Sequence, residues 1–249
     1  MLFRSPHPVN EPVRNYAPQS PERASIQREL ERQSSDVVEI PCVVGGVDVY
    51  TGRVREVRMP CDHGHVLARV HYAGPSEVER ATVAAANARE EWSRLPWEHR
   101  ASVLLKAADL LTHSWRDRVN ASTMLGQSKT VHQAEIDAAC ELIDFWRFNV
   151  HYYEKILAEQ PPVSAAGTWN RSEHRPLDGF VFAVTPFNFT SIAANLPTAP
   201  ALVGNTVIWK PAVTSALSCW QLFRLLREAG MPDGVINLLH GDEIGRAHV

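Results

Sequence analysis

The chain has 249 residues, 45% of them hydrophobic and 21% charged, with a formal net charge of −3. That composition is globular, sufficient for one or two domains with a buried core, and it leaves no electrostatic footprint for nucleic acid or an anionic membrane surface. No apolar run approaches a membrane span, and Pro6, Pro8 and Pro12 stand where a signal peptide would need an apolar core, so a soluble intracellular protein is expected.

Pro6, Pro8, Pro12, Pro18 and Pro21 keep the first twenty-one residues out of regular helix and central strand, so residues 1–36 read as an arm that docks elsewhere or stays mobile. Val37–Val44, Val47–Met59 after the Gly45-Gly46 turn, and Val66–Tyr72 read as β-hairpin material. Ser76 with Glu79 forms a capping box for a helix whose apolar face carries Val78, Ala81, Ala85, Ala88 and Trp92 and which Pro96 ends. Leu104, Ala108, Leu111 and Trp115 make a second stripe. A third, longer helix is expected from about Val131 to Leu157, with Leu142, Phe145, Trp146 and Tyr153 on its buried side, before Pro161-Pro162. Residues 37–178 thus hold hairpins and helices. From 179 to 242 the pattern becomes strand 180–184, helix 190–203, strand 206–209, helix 215–229 and strand 235–239, a doubly wound α/β unit with parallel βαβαβ order. The strand at 235–239 is expected to end the sheet as an unpaired edge.

Several short patterns admit chemistry. Cys61-Asp62-His63-Gly64-His65, with His71 nearby, has the look of a metal site, but no second cluster completes a ligand set and a solvated turn between strands is the favoured reading. Gly126-Gln127-Ser128-Lys129-Thr130 lacks the contiguous Gly-Lys-Ser/Thr of a phosphate loop. Cys42, Cys61, Cys140 and Cys219 form neither a C-x-x-C pair nor a dense framework, so reduced, mostly buried thiols are expected. Asn188 lies just past a strand's carboxyl end, where open α/β sheets bind ligands. Its carboxamide can donate to a developing oxyanion, or it can cap the helix starting near Thr190, and spacing does not choose between them. Lys210, at the end of the next strand, can reach ribose or phosphate or simply snorkel to solvent.

Thr185-Pro186-Phe187-Asn188-Phe189 followed by Gly204-Asn205-Thr206-Val207-Ile208-Trp209-Lys210-Pro211 resembles the aldehyde dehydrogenase superfamily. Within it, Ile40–Gly45, Asp62–His65, Leu105–Asp109, Gln133–Ala139, Glu141–Phe145 and Asn195–Gly204 are similar to the L-glutamate γ-semialdehyde (1-pyrroline-5-carboxylate) dehydrogenases, and the likeness runs from about residue 11 to residue 241. The resemblance implies a partial aldehyde dehydrogenase fold, NAD as cofactor, and a small aldehyde, glutamate γ-semialdehyde, oxidised to glutamate in proline catabolism. It also implies a homo-oligomeric full-length enzyme, cytoplasmic or, in a eukaryote, in the mitochondrial matrix. In that family a cysteine thiolate attacks the aldehyde, an asparagine amide holds the oxyanion, hydride passes to NAD, and a glutamate activates the hydrolytic water. Asn188 matches the asparagine. Thr185, with Pro186 and Phe187, matches the segment along the cofactor, Lys210 the lysine at the adenosine ribose, and Glu141 a carboxylate near the substrate pocket, with Phe145 one helical turn on. Many members carry a glutamate three residues beyond the lysine where this chain has Val213, so NAD rather than NADP follows from the family.

The family's nucleophile, general base, pyrophosphate turn and substrate-carboxylate loop lie downstream of this lysine, and none of the four cysteines has the nucleophile's surroundings. The chain is therefore expected to be roughly the N-terminal half of a subunit and inactive alone. Glu243–Val249 (EIGRAHV) is a translation of the common short-read sequencing adapter and Met1–Ser5 (MLFRS) of its reverse complement, so both ends read as library artefacts flanking a gene fragment. Two other readings remain open: a superfamily member acting on a different aldehyde, and a non-catalytic nucleotide-binding or oligomer-forming module.

Overall fold

A computed structural model describes residues 4–242; the adapter reading at 243–249, and residues 1–3 of the one at 1–5, lie outside the described residues. Helix α1 (Pro21–Ser35) is not foreseen by the arm reading, although its start has an ordinary cause. Ser20 accepts from the Arg23 amide and Pro21 occupies the first turn, where its missing N–H costs nothing. Pro41 then divides the first extended stretch into β1 (Val38–Ile40) and β2 (Cys42–Val44), which join different sheets. The run 47–59 is likewise two strands, β3 (Val47–Val49) and β4 (Val54–Met59), parted at Gly52, whose φ is 76°. Strand β5 (Asp62–His71) begins earlier than its apolar pattern and pairs with β4 antiparallel and with β1 parallel, giving a three-stranded sheet β1-β5-β4.

The larger sheet has the order β3-β2-β8-β7-β6, with β6 (Phe180–Val184), β7 (Thr206–Lys210) and β8 (Ile236–Leu238) parallel. The expected free edge at residues 235–239 is therefore a correction. The β2–β3 hairpin, turned by Gly45 and Gly46 at φ 57° and 81°, lies antiparallel against β8, pairing Val43 with Leu238. A further bond runs from the Gly45 amide to the Asn237 side chain at 2.8 Å. The edges of this sheet are β3 and β6, and β6 exposes Phe182.

Helices cover both faces. On β7, Val207 and Trp209 enter the main core, while Ile208 points to a smaller cluster with Cys42, Val44, Ala81 and Leu239. Helix α2 (Pro75–Arg94) brings Ala81 to that second face. Its cap is not Ser76 with Glu79: Gly74 is the N-cap, and its amide donates to Glu77 at 2.7 Å. Val78 is exposed, whereas Ala81, Ala85 and Trp92 are buried. Helices α3 (Trp97–Thr112) and α8 (Ala216–Ala229) build the main core with Leu104, Leu111, Leu222 and Leu225. Between them α4 (Arg116–Gln127) is a separate helix that the stripe ending at Trp115 does not anticipate, since Trp115 itself is its N-cap. The expected long helix is α5 (Val131–Ala134), a seven-residue π-turn (Glu135–Glu141) and α6 (Leu142–Ala158) in continuous succession.

The arm docks onto this helical layer. Arg116, 1% exposed in its side chain, lies 2.5 Å from Glu11 and pairs with the fully buried Glu135, which also accepts from the Arg14 amide at 2.8 Å, Tyr16 Oη at 2.8 Å and Asn120 at 2.9 Å. Burial pushes the Glu135 carboxyl up, but the Arg116 guanidinium, the Arg14 amide and the Tyr16 hydroxyl outweigh it and hold it below the ordinary carboxylate range. Arg116→Met leaves this carboxylate buried without its cation and is expected to cost about 3–5 kcal/mol, read as a lower urea midpoint. Because the folded value is depressed, the contribution is complete above about pH 4.3 and lost as pH falls through the folded value. Glu135→Gln is expected to flatten the stability–pH curve in that acid range.

Candidate active site

The carboxyl ends of β6 and β7 lie side by side, with Val184 paired to Lys210. One residue further, the Thr185 amide donates to the Lys210 carbonyl at 3.1 Å, and Trp209 Nε1 donates to Thr185 Oγ1 at 3.0 Å. Two residues expected along the cofactor are thus locked together at one sheet end. Pro186 terminates the ladder, and Phe187 and Asn188 follow, both exposed, before α7 (Thr190–Leu202).

Asn188 does not cap that helix. The N-cap position is Phe189, which has no side chain able to cap, and the first amides of α7 are taken by a carboxylate from elsewhere. Asp137, 4% exposed and in the π-turn, accepts from Thr190 N and Ser191 N, each at 3.1 Å, and from Ser191 Oγ at 2.8 Å. Lys129 Nζ lies 2.6 Å from Asp137 Oδ2 and also donates to the Asn188 backbone carbonyl. Among the described residues the Asn188 carboxamide has no hydrogen-bond partner, so the capping alternative falls and its donors remain available. Glu141, the last residue of the π-turn, meets Ser191 Oγ at 2.6 Å. Asp137 and Glu141 thus converge on one hydroxyl, whose single proton serves one carboxylate at a time. Phe145 lies one turn along α6, half-buried.

Asp137 and Lys129 carry no role in the sequence reading. Asp137 lies within the Gln133–Ala139 stretch of the resemblance, which was the available signal; Lys129 was weighed only for a phosphate loop. A capping bond from one helix to another leaves no periodic trace. Behind the Asp137 cap, Thr123, Gln127 and Ser218 bond to the buried Thr190 hydroxyl at 2.9, 2.8 and 3.2 Å, fixing the helix start from α4 and α8.

The histidines of the early cluster are engaged separately. His65 bonds to the Ser34 carbonyl at 2.9 Å and His71 to Glu39 at 3.1 Å, and among the described residues no three His, Cys, Asp or Glu side chains converge as metal ligands would. Val213, where a ribose-binding glutamate stands in many family members, packs against the main core. Burial pushes the thiols of Cys42, Cys140 and Cys219 up to about 11, about 12 and about 12, so none is a thiolate near neutrality. Cys61 is exposed in the turn between β4 and β5, in the other sheet.

Parallel strands covered on both faces, with a carboxamide and a lysine at their carboxyl ends, form an open α/β unit of the class that binds ligands at that edge. The comparisons narrow it: residues 49–249 match the aldehyde dehydrogenase family, and the chain belongs to that family. It is 50% identical over 240 residues to the delta-1-pyrroline-5-carboxylate dehydrogenase of Agaricus bisporus, covering 96% of this chain and 44% of that protein. The human mitochondrial delta-1-pyrroline-5-carboxylate dehydrogenase is 46% identical over 234 residues, 94% of this chain and 41% of the relative. In structure the chain is similar to the Mycobacterium tuberculosis delta-pyrroline-5-carboxylate dehydrogenase bound with NAD, with TM-score 0.96, 51% identity, and coverage of 98% of this chain and 46% of that one. The chain spans less than half the length of these relatives, matching their N-terminal portion.

The burial pattern has a direct chemical consequence. Brief alkylation of the folded chain with iodoacetamide near pH 7 is expected to label Cys61 alone, with Cys42, Cys140 and Cys219 reacting only after denaturation. Peptide mass spectrometry reads the outcome.

Proposed function

We propose that this chain is the cofactor-side part of an NAD-dependent dehydrogenase that oxidises L-glutamate γ-semialdehyde, formed from 1-pyrroline-5-carboxylate, to L-glutamate in proline catabolism. The observation that carries the reading is the Asn188 carboxamide, without a partner among the described residues at a strand end because Asp137 caps the helix in its place. A donor so placed suits an oxygen that gains negative charge when a nucleophile adds to an aldehyde. A pure nucleotide-binding module has no such oxygen, which weighs against the non-catalytic alternative.

The residues present fit NAD. Lys210 offers an ammonium to ribose hydroxyls, and Thr185, Pro186 and Phe187 form the adjoining wall at the carboxyl end of β6. When bound, NAD accepts the hydride. Glu141 supplies a carboxylate beside the Asn188 loop, in keeping with a substrate that carries an α-ammonium group, and Phe145 offers apolar surface one turn away. With three thiols buried and Cys61 in the other sheet, the attacking thiolate belongs to the part of the full-length protein that this chain does not include.

Homo-oligomeric assembly of the full-length enzyme belongs to the same proposal. We place the enzyme in the cytoplasm, or in the mitochondrial matrix if its source is eukaryotic. The mitochondrial naming of the human relative supports the second case, and no helix among the described residues is long and apolar enough to cross a membrane.

The test uses the full-length protein. NADH formation is expected with glutamate γ-semialdehyde, none is expected from residues 1–249 alone, and Asn188→Ala is expected to lower kcat by about 10²–10³-fold. Preference for an unrelated aldehyde, or an Asn188→Ala enzyme of unchanged kcat, would overturn the assignment.

A further inference from the structure

We infer that Lys129 and Asp137 are positioning residues for Asn188, acting on the backbone that carries its carboxamide. The inference rests on the proposed role of Asn188. Four consecutive residues are gripped by this one ion pair. Lys129 Nζ donates to the Asn188 carbonyl and lies 4.6 Å from the centre of the Phe189 ring, while Asp137 accepts from the amides of Thr190 and Ser191. The two charged groups are themselves 2.6 Å apart, so loop and helix start are held as a unit.

The pair is fixed from behind. Lys129 lies between two helix ends: Ser128 closes α4 in the left-handed conformation at φ 51°, and Thr130 caps α5 in a reciprocal pair of bonds with Gln133. A left-handed serine is strained backbone, a conformation that persists where its surroundings require it. It turns the chain so that the next residue projects toward α7. Asp137 sits within the π-turn, an irregularity frequent at functional sites, two residues beyond the Glu135 that the arm and Arg116 clamp.

A helix cap alone does not require the lysine. Its bond to the Asn188 carbonyl lies outside α7 and fixes the residue whose side chain is otherwise unbound and exposed. A hydrogen-bond donor that stabilises developing charge works by being oriented before the charge appears. Holding the Asn188 carbonyl together with the amides of Thr190 and Ser191 sets the Asn188 Cα–Cβ direction while leaving the carboxamide free.

A double-mutant cycle in the full-length enzyme, with glutamate γ-semialdehyde and NAD, tests this. Lys129→Met is expected to lower kcat by about ten- to a hundredfold, as a small misplacement of a catalytic group does, with the KM for NAD unchanged. Lys129→Arg, which keeps charged donors, is expected to recover most of the loss. On an Asn188→Ala background, Lys129→Met is expected to cause no further loss, because there is no carboxamide left to orient. An equal loss on both backgrounds, or an undiminished kcat in Lys129→Met, would overturn the positioning role while leaving the function of Asn188 standing. If Asn188→Ala itself is fully active, the functional reading fails and this inference with it. Should Lys129→Met not fold, Lys129→Gln is read in the same cycle with the same criteria.

Discussion

The seating of the Asp137 carboxylate on the first two amides of α7 is the interaction on which the site depends. A helix start leaves amide donors unsatisfied and carries partial positive charge, and the usual remedy is a side chain at the N-cap position. Here that position holds Phe189, which cannot serve. Had Asn188 bent back to cap the helix, its carboxamide would have been spent on structure. Delegating the cap to a remote carboxylate stabilises α7 and spares the donor, and it makes the strand-end loop and the π-turn parts of one assembly.

The same delegation recurs at the other end of α7. The carbonyls of its last turn have no amide four residues on within the helix to accept from. They are met from outside: Trp92 Nε1 donates to the Ala201 carbonyl at 2.9 Å, Arg100 Nε to that of Leu202 at 3.0 Å, and Asn205 Nδ2 to that of Pro200 at 3.0 Å. The helix carrying the site is thus anchored at its start by the π-turn and at its end by α2, α3 and the approach to β7. The π-turn is anchored in turn by the arm, because Arg116 joins Glu11 to Glu135. A buried pair of this kind adds little net stability compared with apolar packing. What it fixes here is the seating of the arm and of the helix segment that presents Asp137 and Glu141.

Legibility followed how local each cause is. The βαβαβ order was readable because strand and helix periods, and Pro186 and Pro211 at the strand ends, act within a few residues. Asn188 and Lys210 were found for the same reason, as polar groups placed where two apolar runs stop. That Asn188 does not cap α7 was not readable, since the capping group, Asp137, lies fifty-one residues upstream. Sheet membership failed in the same way: the pairing of β2 with β8 depends on a register with Leu238 that nothing near Val43 encodes. Helix α4 was lost because its N-cap, Trp115, reads as the last apolar residue of the preceding stripe, although Thr112, His113 and Ser114 stand between. Family resemblance recovered Glu141, whose contact with Ser191 spacing could not supply, yet it passed over Lys129, because a residue that holds backbone rather than ligand leaves no recognisable chemical motif.

What the chain brings to the proposed reaction is orientation and charge rather than covalent chemistry. Its free cysteines divide into three whose burial keeps them protonated and one, Cys61, attached to the other sheet. None stands beside the Asn188 amide. The groups that do stand there are a donor without a partner, a carboxylate sharing a hydroxyl with the helix cap, and a lysine zipped to Thr185 through the backbone. On the proposed reading such a set would bind a dinucleotide, orient an aldehyde and steady an oxyanion, while the thiolate comes from elsewhere. A thiolate delivered against this surface would meet an oxyanion donor already aligned, with the alignment depending on contacts that reach back through the π-turn to Glu11 in the arm.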